Sequence, residues 1–572
     1  MKLFFLKHMR IIGILLLAIV LRFALLGGIP TAITGDELIY PTTAKAIFLT
    51  GRDITGTWNP LSILAFRYPP GELQAELPYA IHLLFNSFLP FTLLSYRLPF
   101  ALMSVGVVWV LYLIAKKLFN EKAAVVTGFL AAINPWFIVM GRTGYETTPA
   151  TLFYLLGLYT VLVAKGKQLL FAIPLFMLGF YSYIGTKILF IPFIALSLVL
   201  ARLMNKKTET KYVWYIAIAS VAFVVFFVSQ MITSGQSRIS DIVLPTSPAF
   251  AQKVDSIRKI SIPTPLLPLM VNKYTMFAEH SVQKLFRVFS ASYLFSDGDN
   301  FFLQARHSFF YPVDSVVVIL GLAALFSYSH SLFLLISMFI LLGAVPHVIH
   351  RTQTDFSAHV ALMFPFIILT LGFGISHLGD SLSHSAKKLF TLCFLSIYAV
   401  SLGNFVLVYF YQLPMQGAGD FQMRTLSKYL KIAAGEKPVI VYSTQGADIF
   451  KKYLLYTNSI TTESLAELKK PVKPNAPITF NGITFTSCDN SVDVTAPGAV
   501  HIVSNLCGFP TRNTDTHTKL SRLSDGGTIF DIYNNEVCKR DTLFTYPQGI
   551  TLSDFAIESM TPDEFCTTFV SK

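Results

Sequence analysis

Charge is scarce in this chain. Of 572 residues only 13% are charged, against 53% hydrophobic. Average soluble domains carry roughly a quarter charged residues, so a water-soluble globule of this length is excluded. Cysteine is scarce too, with five residues. No Cys-x-x-Cys spacing or paired histidine accompanies them, which argues against a built-in zinc site. No internal repeat and no low-complexity tract is evident, and the inverted duplications common among transporters are therefore missing.

Long apolar runs are plentiful. A span needs roughly 20 apolar residues to cross ~30 Å of hydrocarbon. About eleven such runs fall at 10–30, 97–116, 122–140, 147–164, 168–184, 187–203, 213–232, 312–328, 331–347, 358–377 and 388–411. Lys and Arg collect in alternate loops: Lys2, Lys7 and Arg10; Lys116, Lys117 and Lys122; Lys165 and Lys167; Arg202, Lys206, Lys207 and Lys211; Lys387 and Lys388. The intervening short loops hold single cations, Arg142, Lys187 and Arg351. The bias predicts a cytoplasmic N-terminus. An odd number of spans then places residues after 411 outside the cytoplasmic membrane. No small-residue cleavage site follows the first run, so it is expected to remain as a helix.

The net charge of +13 does not point to nucleic acid. Residues 412–572 carry 15 basic and 16 acidic residues. The excess lies in the membrane half, where it serves topology and contact with anionic lipid.

The expected organisation is a transmembrane domain, 1–411, followed by a soluble extracytoplasmic α/β domain, 412–572. Outer loops at 31–96 and 233–311 are expected to hold interfacial helices. In the tail, runs at 438–442, 477–480, 499–503 and 529–533 read as strands, with helices at about 421–434 and 446–456. Cys393 lies in a span, whereas Cys488, Cys507, Cys538 and Cys566 all lie in the tail. In an oxidising compartment these four predict two disulfides. Three connectivities are open, and nearest-neighbour pairing is the expectation.

The pair Asp36-Glu37 stands directly after the first apolar run. Acids at a membrane edge are costly and mark functional sites. The outer face otherwise carries mostly basic polar groups: Arg67, Arg142, Lys187, Arg306, His307, His350, Arg351 and His359, with Glu146 as a further acid. A glycosidase needs two carboxylates, because its leaving group must be protonated. A sugar on a lipid phosphate does not. Its phosphate leaves as a stable anion and needs cations around it, while the acceptor hydroxyl needs one general base. A carboxylate among cations therefore suits a lipid-phosphosugar transferase.

These residues fall into a familiar order. Gly-Asp36-Glu37 ends the first run; Tyr68-Pro69-Pro70 and Tyr96-Arg97-Leu98-Pro99 follow. Then come Asn134-Pro135-Trp136, Gly141-Arg142-x-x-x-Glu146, Tyr181-x-Tyr183 before Lys187, Tyr293-Leu294-Phe295-Ser296-Asp297-Gly298-Asp299 with Arg306, and His350-Arg351. Over nearly its whole length the chain resembles the bacterial and archaeal branch of the protein-mannosyltransferase superfamily, GT-C fold glycosyltransferases that include the aminoarabinose transferases acting on lipid A. The resemblance implies transfer of a sugar, with inversion, from a polyprenyl or dolichyl phosphate donor to an extracytoplasmic acceptor: protein, lipid or surface glycan. It implies Asp36 as general base with Glu37 assisting. It implies Arg351, Lys187, Arg306 and Arg142 as donor phosphate ligands. Glu146, Tyr68, Tyr183, Asp297, Asp299 and His350 would line the acceptor and sugar site. Some relatives bind a divalent metal near the first loop and others do not, so metal dependence stays open.

Two other readings compete. A transporter or flippase of a lipid-linked or anionic substrate also places acids and bases at membranes. A non-catalytic membrane scaffold with a binding domain is the second. Individual residues have plainer readings as well: Asp36-Glu37 as a helix cap, Arg142 and Glu146 as an i, i+4 pair, Lys187 and Arg351 as headgroup anchors.

Overall fold

The structure is a computed structural model that describes residues 2–31, 33, 35–65, 74–204, 210–233, 248–350, 356–416, 421–435, 437–469, 476–489, 493–509, 517–538, 543 and 549–572. Each of the eleven apolar runs contains helix. The first ten helices used below are α1 (Lys2–Phe23), α2 (Gly35–Thr50), α3 (Glu76–Asn86), α4 (Leu93–Leu118), α5 (Glu121–Ile133), α6 (Pro135–Gly141), α7 (Thr147–Val163), α8 (Ala172–Ser182), α9 (Phe190–Met204) and α10 (Thr210–Thr233). Among the described residues five helical stretches are long and apolar enough to span a membrane, and α5 with α6 makes a sixth bent by 58°. Helices Thr147–Val163 and Asp314–Tyr328 are apolar but shorter. The protein is thus a multi-pass membrane protein.

The α5–α6 bend has a local cause. Pro135 has no N–H to donate and disfavours helical geometry at the residue before it. Asn134 stands there in an extended conformation and its side chain accepts from Phe137 N at 3.1 Å. The break leaves the last carbonyls of α5 without helical partners. Arg22, buried inside the first span, donates to Ala132 O at 2.9 Å, to Ala131 O at 3.1 Å and to Ser104 Oγ at 2.7 Å. A cation in an apolar run is thereby explained as a splice for a broken helix. Gly141 ends α6 against α4, where a Cβ would lie 2.4 Å from the Ser104 Cβ. Any side chain at 141 would push the two helices apart.

The loop 31–96 is more helical than a mere connection. It holds α2, which begins at Asp36-Glu37, and α3, which begins at Glu76. In the loop 233–311, helix Lys273–Val288 is closed by an Asn272 capping box. The residues around it keep large apolar groups exposed, Tyr274, Phe286 and Ile262 among them, as an interfacial segment requires.

After residue 438 the chain forms one seven-stranded sheet in the order β2-β3-β1-β4-β6-β5-β7. Its strands are β1 (Val439–Tyr442), β2 (Ile478–Phe480), β3 (Ile483–Thr486), β4 (Val500–Ser504), β5 (Thr518–Ser521), β6 (Thr528–Tyr533) and β7 (Val570–Ser571). β3, β1 and β4 run parallel and the outer pairs antiparallel. Helices Phe421–Ala433 and Gly446–Tyr456 fall where the sequence places them. Disulfides join Cys488 to Cys507 and Cys538 to Cys566. The sheet's core is continuous with the membrane half. Ile33, Leu38, Phe91, Leu93 and Tyr96 belong to the same buried cluster as Leu426, Val441 and Ile502.

Candidate active site

Four buried arginines frame the approach to Asp36-Glu37. Arg97, in α4, donates to Leu26 O at 3.1 Å and Pro30 O at 2.8 Å. Arg142, at the end of α6, donates to Leu21 O, Arg22 O and Ile29 O at 3.0, 3.1 and 2.8 Å. Arg424, from helix Phe421–Ala433, donates to Thr31 O at 2.8 Å. Arg22, described above, is the fourth. Segment 26–31 is thus held by its own carbonyls, by groups that come from α4, α6 and the C-terminal region. Guanidinium suits this task because its planar donors reach several acceptors from one rigid head.

The Arg142 guanidinium also lies 4.7 Å from the Phe410 ring centroid and 5.8 Å from that of Tyr409. The structure therefore gives Arg142 a bracing role. Its terminal nitrogens face main-chain carbonyls in a buried setting. Replacing it with lysine should cost about 1–3 kcal/mol for the carbonyls left unmet. Thermal unfolding of the purified variant in detergent checks this, and an unchanged transition would remove Arg142 from the brace.

Glu37 is buried at 3% exposure, and its Oε1 accepts from Gly144 N at 2.7 Å. It also lies in the field of Arg97. The carboxylate therefore ties the start of α2 to the turn between α6 and α7. For Asp36 the structure describes the backbone, in the first turn of α2. A helix N-terminus favours a negative charge.

Glu146 stands just before α7. The Tyr40 hydroxyl donates to its carboxylate, and Ala75 N lies 3.5 Å from the same oxygen. Next to Ala75 is Glu76, which the sequence reading passed over as one more polar interruption. It is 1% exposed and pairs with Lys187, whose Nζ donates to both carboxylate oxygens at 2.7 and 2.8 Å. Burial raises the Glu76 carboxyl above its ordinary range, and the ammonium opposes that shift. Lys187 also lies 5.0–5.7 Å from the rings of Phe180, Tyr181 and Phe227. His82, likewise missed, is buried between Tyr96 and Phe100, and among the described residues neither ring nitrogen has a hydrogen-bond partner. Burial pushes its pKa down to about 3, which keeps it neutral. A Cβ at Gly144 would lie 3.6 Å from the His82 ring and 3.7 Å from the Glu37 carboxylate, so all three meet. An ionisable group inside an apolar stretch was the available signal for both residues.

Four residues before Lys187, Tyr183 reaches a cluster of histidines with Lys284. Tyr183 stacks on His359 at 6.4 Å between ring centroids, and His359 lies 4.2 Å from His350 and 6.1 Å from His347. Lys284 donates to His347 O at 3.3 Å and also to His350 O. The charged groups acting on the His359 ring are His350, His347 and Lys284. Lys284 sits in a stretch read from sequence as interfacial helix only.

The Ser-Asp-Gly-Asp turn divides its two acids. Asp297 is exposed and accepts from Ser296 at 2.8 Å and from Ser292. Asp299 is buried and accepts from Phe302 N at 2.8 Å and Ser357 N at 3.1 Å. Burial raises the Asp299 carboxyl, and these donors oppose the rise. Asp299 thus fixes the segment leading to His359. Arg306 is exposed. Tyr68 and Arg351 lie outside the described residues. Among the described residues no three His, Cys, Asp or Glu side chains gather closely enough to hold a metal ion.

Comparison with known proteins follows this geometry. Residues 77–230 match the family described as dolichyl-phosphate-mannose-protein mannosyltransferase. No curated protein sequence matches the chain. Among solved structures the chain is similar to ArnT from Cupriavidus metallidurans bound to undecaprenyl phosphate, at 13% identity over 92% of this chain and 98% of that one, with a TM-score of 0.47. The apo form of that protein gives 14% identity over 91% and 97%, with a TM-score of 0.48. The Archaeoglobus fulgidus oligosaccharyltransferase tethered to an acceptor peptide gives 12% identity over 79% of this chain and 64% of that one, with a TM-score of 0.42. The family match thus falls on the stretch from α3 into α10 of this chain of many apolar helices.

Proposed function

We propose that the protein transfers a sugar from a polyprenyl or dolichyl monophosphate to an acceptor hydroxyl outside the cytoplasmic membrane, with inversion at the sugar carbon. The matched family is described by a dolichyl-phosphate-mannose donor and a protein acceptor, which supports a hexose on a lipid monophosphate. One observation carries the reading: acids and bases are segregated along one chain of contacts. Glu37, Glu146 and Glu76 gather around the starts of α2, α3 and α7. Lys284, His347, His350 and His359 gather at the other end. Lys187 pairs with Glu76 at the first end, and Tyr183, four residues before it, stacks on His359 at the other.

The chemistry follows from that polarity. At the acidic end Asp36 accepts the proton of the acceptor hydroxyl as its oxygen bonds to the anomeric carbon. The bond from that carbon to the phosphate oxygen breaks on the opposite face. The electron pair stays on the lipid phosphate, which needs no proton. Lys284 at the basic end, with Arg351 next to His350 in sequence, stabilises the charge that develops. A single displacement inverts the centre. The N-terminus is cytoplasmic and the sheet extracytoplasmic in this reading, which places the site at the outer leaflet.

Arg351→Ala should weaken donor binding about 10–100-fold, the worth of one or two charge-assisted hydrogen bonds, and leave acceptor affinity unchanged. Titration of purified protein with a polyprenyl-phosphate sugar measures this. Equal donor affinity in variant and parent would remove Arg351 from the phosphate site. The acceptor class is tested by mass spectrometry of surface glycans and glycoproteins with and without the protein. Identical profiles would overturn the transferase reading.

A further inference from the structure

A cavity of about 460 Å³ lies between the ends of α1 and α4 and the C-terminal region. Its membrane-side wall is apolar and includes Leu25, Leu93 and Leu94. Leu25 is 44% and Leu94 48% exposed, so this wall continues onto surface that suits lipid chains. The opposite wall is basic. Arg424, Lys428 and Lys431 line it from one helix, Phe421–Ala433, at spacings that share a face. Glu558 is the one acid among the lining residues, and it is bound to Arg424. Lys428 Nζ donates to Met560 O at 2.7 Å and Glu558 O at 3.3 Å, and Lys431 is exposed. Glu564 also acts on Lys428.

A second observation points to a ligand. Tyr96 lines the same cavity, is 2% exposed, and its hydroxyl has no hydrogen-bond partner among the described residues. A buried hydroxyl without a partner is costly. An acceptor oxygen placed in the cavity would satisfy it. The surroundings thus offer a net positive charge, a donor without a partner and a greasy wall together.

We propose that this cavity binds an anionic membrane lipid, whose headgroup phosphate meets Lys428, Lys431 and the Tyr96 hydroxyl while its chain lies on Leu25 and Leu94. The site is separate from that of the sugar donor. Its ligand would rest against Gly27 and Gly28, which also line the cavity, in the segment that Arg424 holds ahead of Asp36. The lipid would therefore brace the catalytic loop from behind.

The test uses full-length protein in nanodiscs of phosphatidylcholine with and without phosphatidylglycerol. Native mass spectrometry counts the phosphatidylglycerol retained. The parent should retain it. Lys428→Glu with Lys431→Glu should weaken retention about 30-fold, from the ~1 kcal/mol that each such cation contributes near an anionic surface. Tyr96→Phe keeps shape and packing and should weaken it several-fold. Retention unchanged in both variants would overturn the proposal. So would inorganic phosphate displacing the lipid at millimolar concentration, since that would show a free-anion site. Displacement by polyprenyl phosphate at matched concentration would assign the cavity to the donor and also overturn it.

Discussion

Asparagine or alanine at Asp36 should reduce sugar transfer by about 10²–10⁴-fold, the usual contribution of a positioned base, and leave folding intact. The acceptor hydroxyl must lose its proton as it attacks, and an amide cannot take it. Glu37 already accepts from Gly144 N inside the protein, and we propose that its main task is to hold that turn. The two neighbours should therefore behave differently. Asp36→Asn should lower kcat with little change in donor KM or in the unfolding temperature. Glu37→Gln should lower the unfolding temperature first, since it weakens the tie between α2 and the 142–146 turn. The measurement is initial-rate transfer from a polyprenyl-phosphate sugar, alongside unfolding in detergent. Full transfer by both Asp36 variants would remove the base from the mechanism.

The second large effect is expected at the Glu76–Lys187 pair. Its side chains are 1% and 12% exposed. Removing one partner from a buried pair leaves the other charge uncompensated, at a cost of about 3–5 kcal/mol. Lys187→Ala alone should therefore lower stability sharply, and Glu76→Ala alone likewise. Glu76→Gln combined with Lys187→Met removes both charges while keeping volume. It should recover most of the lost stability, because desolvating two charges offsets much of their attraction. Transfer should not recover, since the link between the acidic and basic ends is gone. A double-mutant cycle measures the coupling. Additive losses in stability would show that the pair acts as two independent groups.

How far the sequence could be read depended on what each signal encodes. Apolar runs report transfer to hydrocarbon, so each of the eleven runs yields helix. The runs did not show that the one at 122–140 bends at Asn134-Pro135, although the proline was visible. Strands at 439–442, 478–480, 500–504 and 528–533 were legible from β-branched alternation. The short strands β3, β5 and β7 were not, being three neighbours' choices rather than their own. Polar residues in apolar surroundings announce themselves as important, but not for what. Arg22 carries no sign in sequence of what it faces, and in the structure its partners are carbonyls at a helix break, while those of Arg142 are carbonyls of α1 and the loop after it. Glu76 and His82 were hidden by the opposite error, because α3 is too short to read as a span and its acids too few to count. Partners distant in sequence, such as Tyr40 with Glu146 or Tyr183 with His359, carry no local pattern at all.

The arginine that holds Thr31 is made late. Arg424 follows Thr31 by 393 positions. At roughly 5–20 residues per second the ribosome needs about 20–80 s to cover that distance. During this interval the first helices are already inserted, but the segment before Asp36 has two of its clamps and not the third. The loop can reach its final form only when helix Phe421–Ala433 has been synthesised and has packed beneath the sheet. An incomplete chain would therefore hold the segment before Asp36 by two clamps, and on the function proposed above it would stay idle until the third is made.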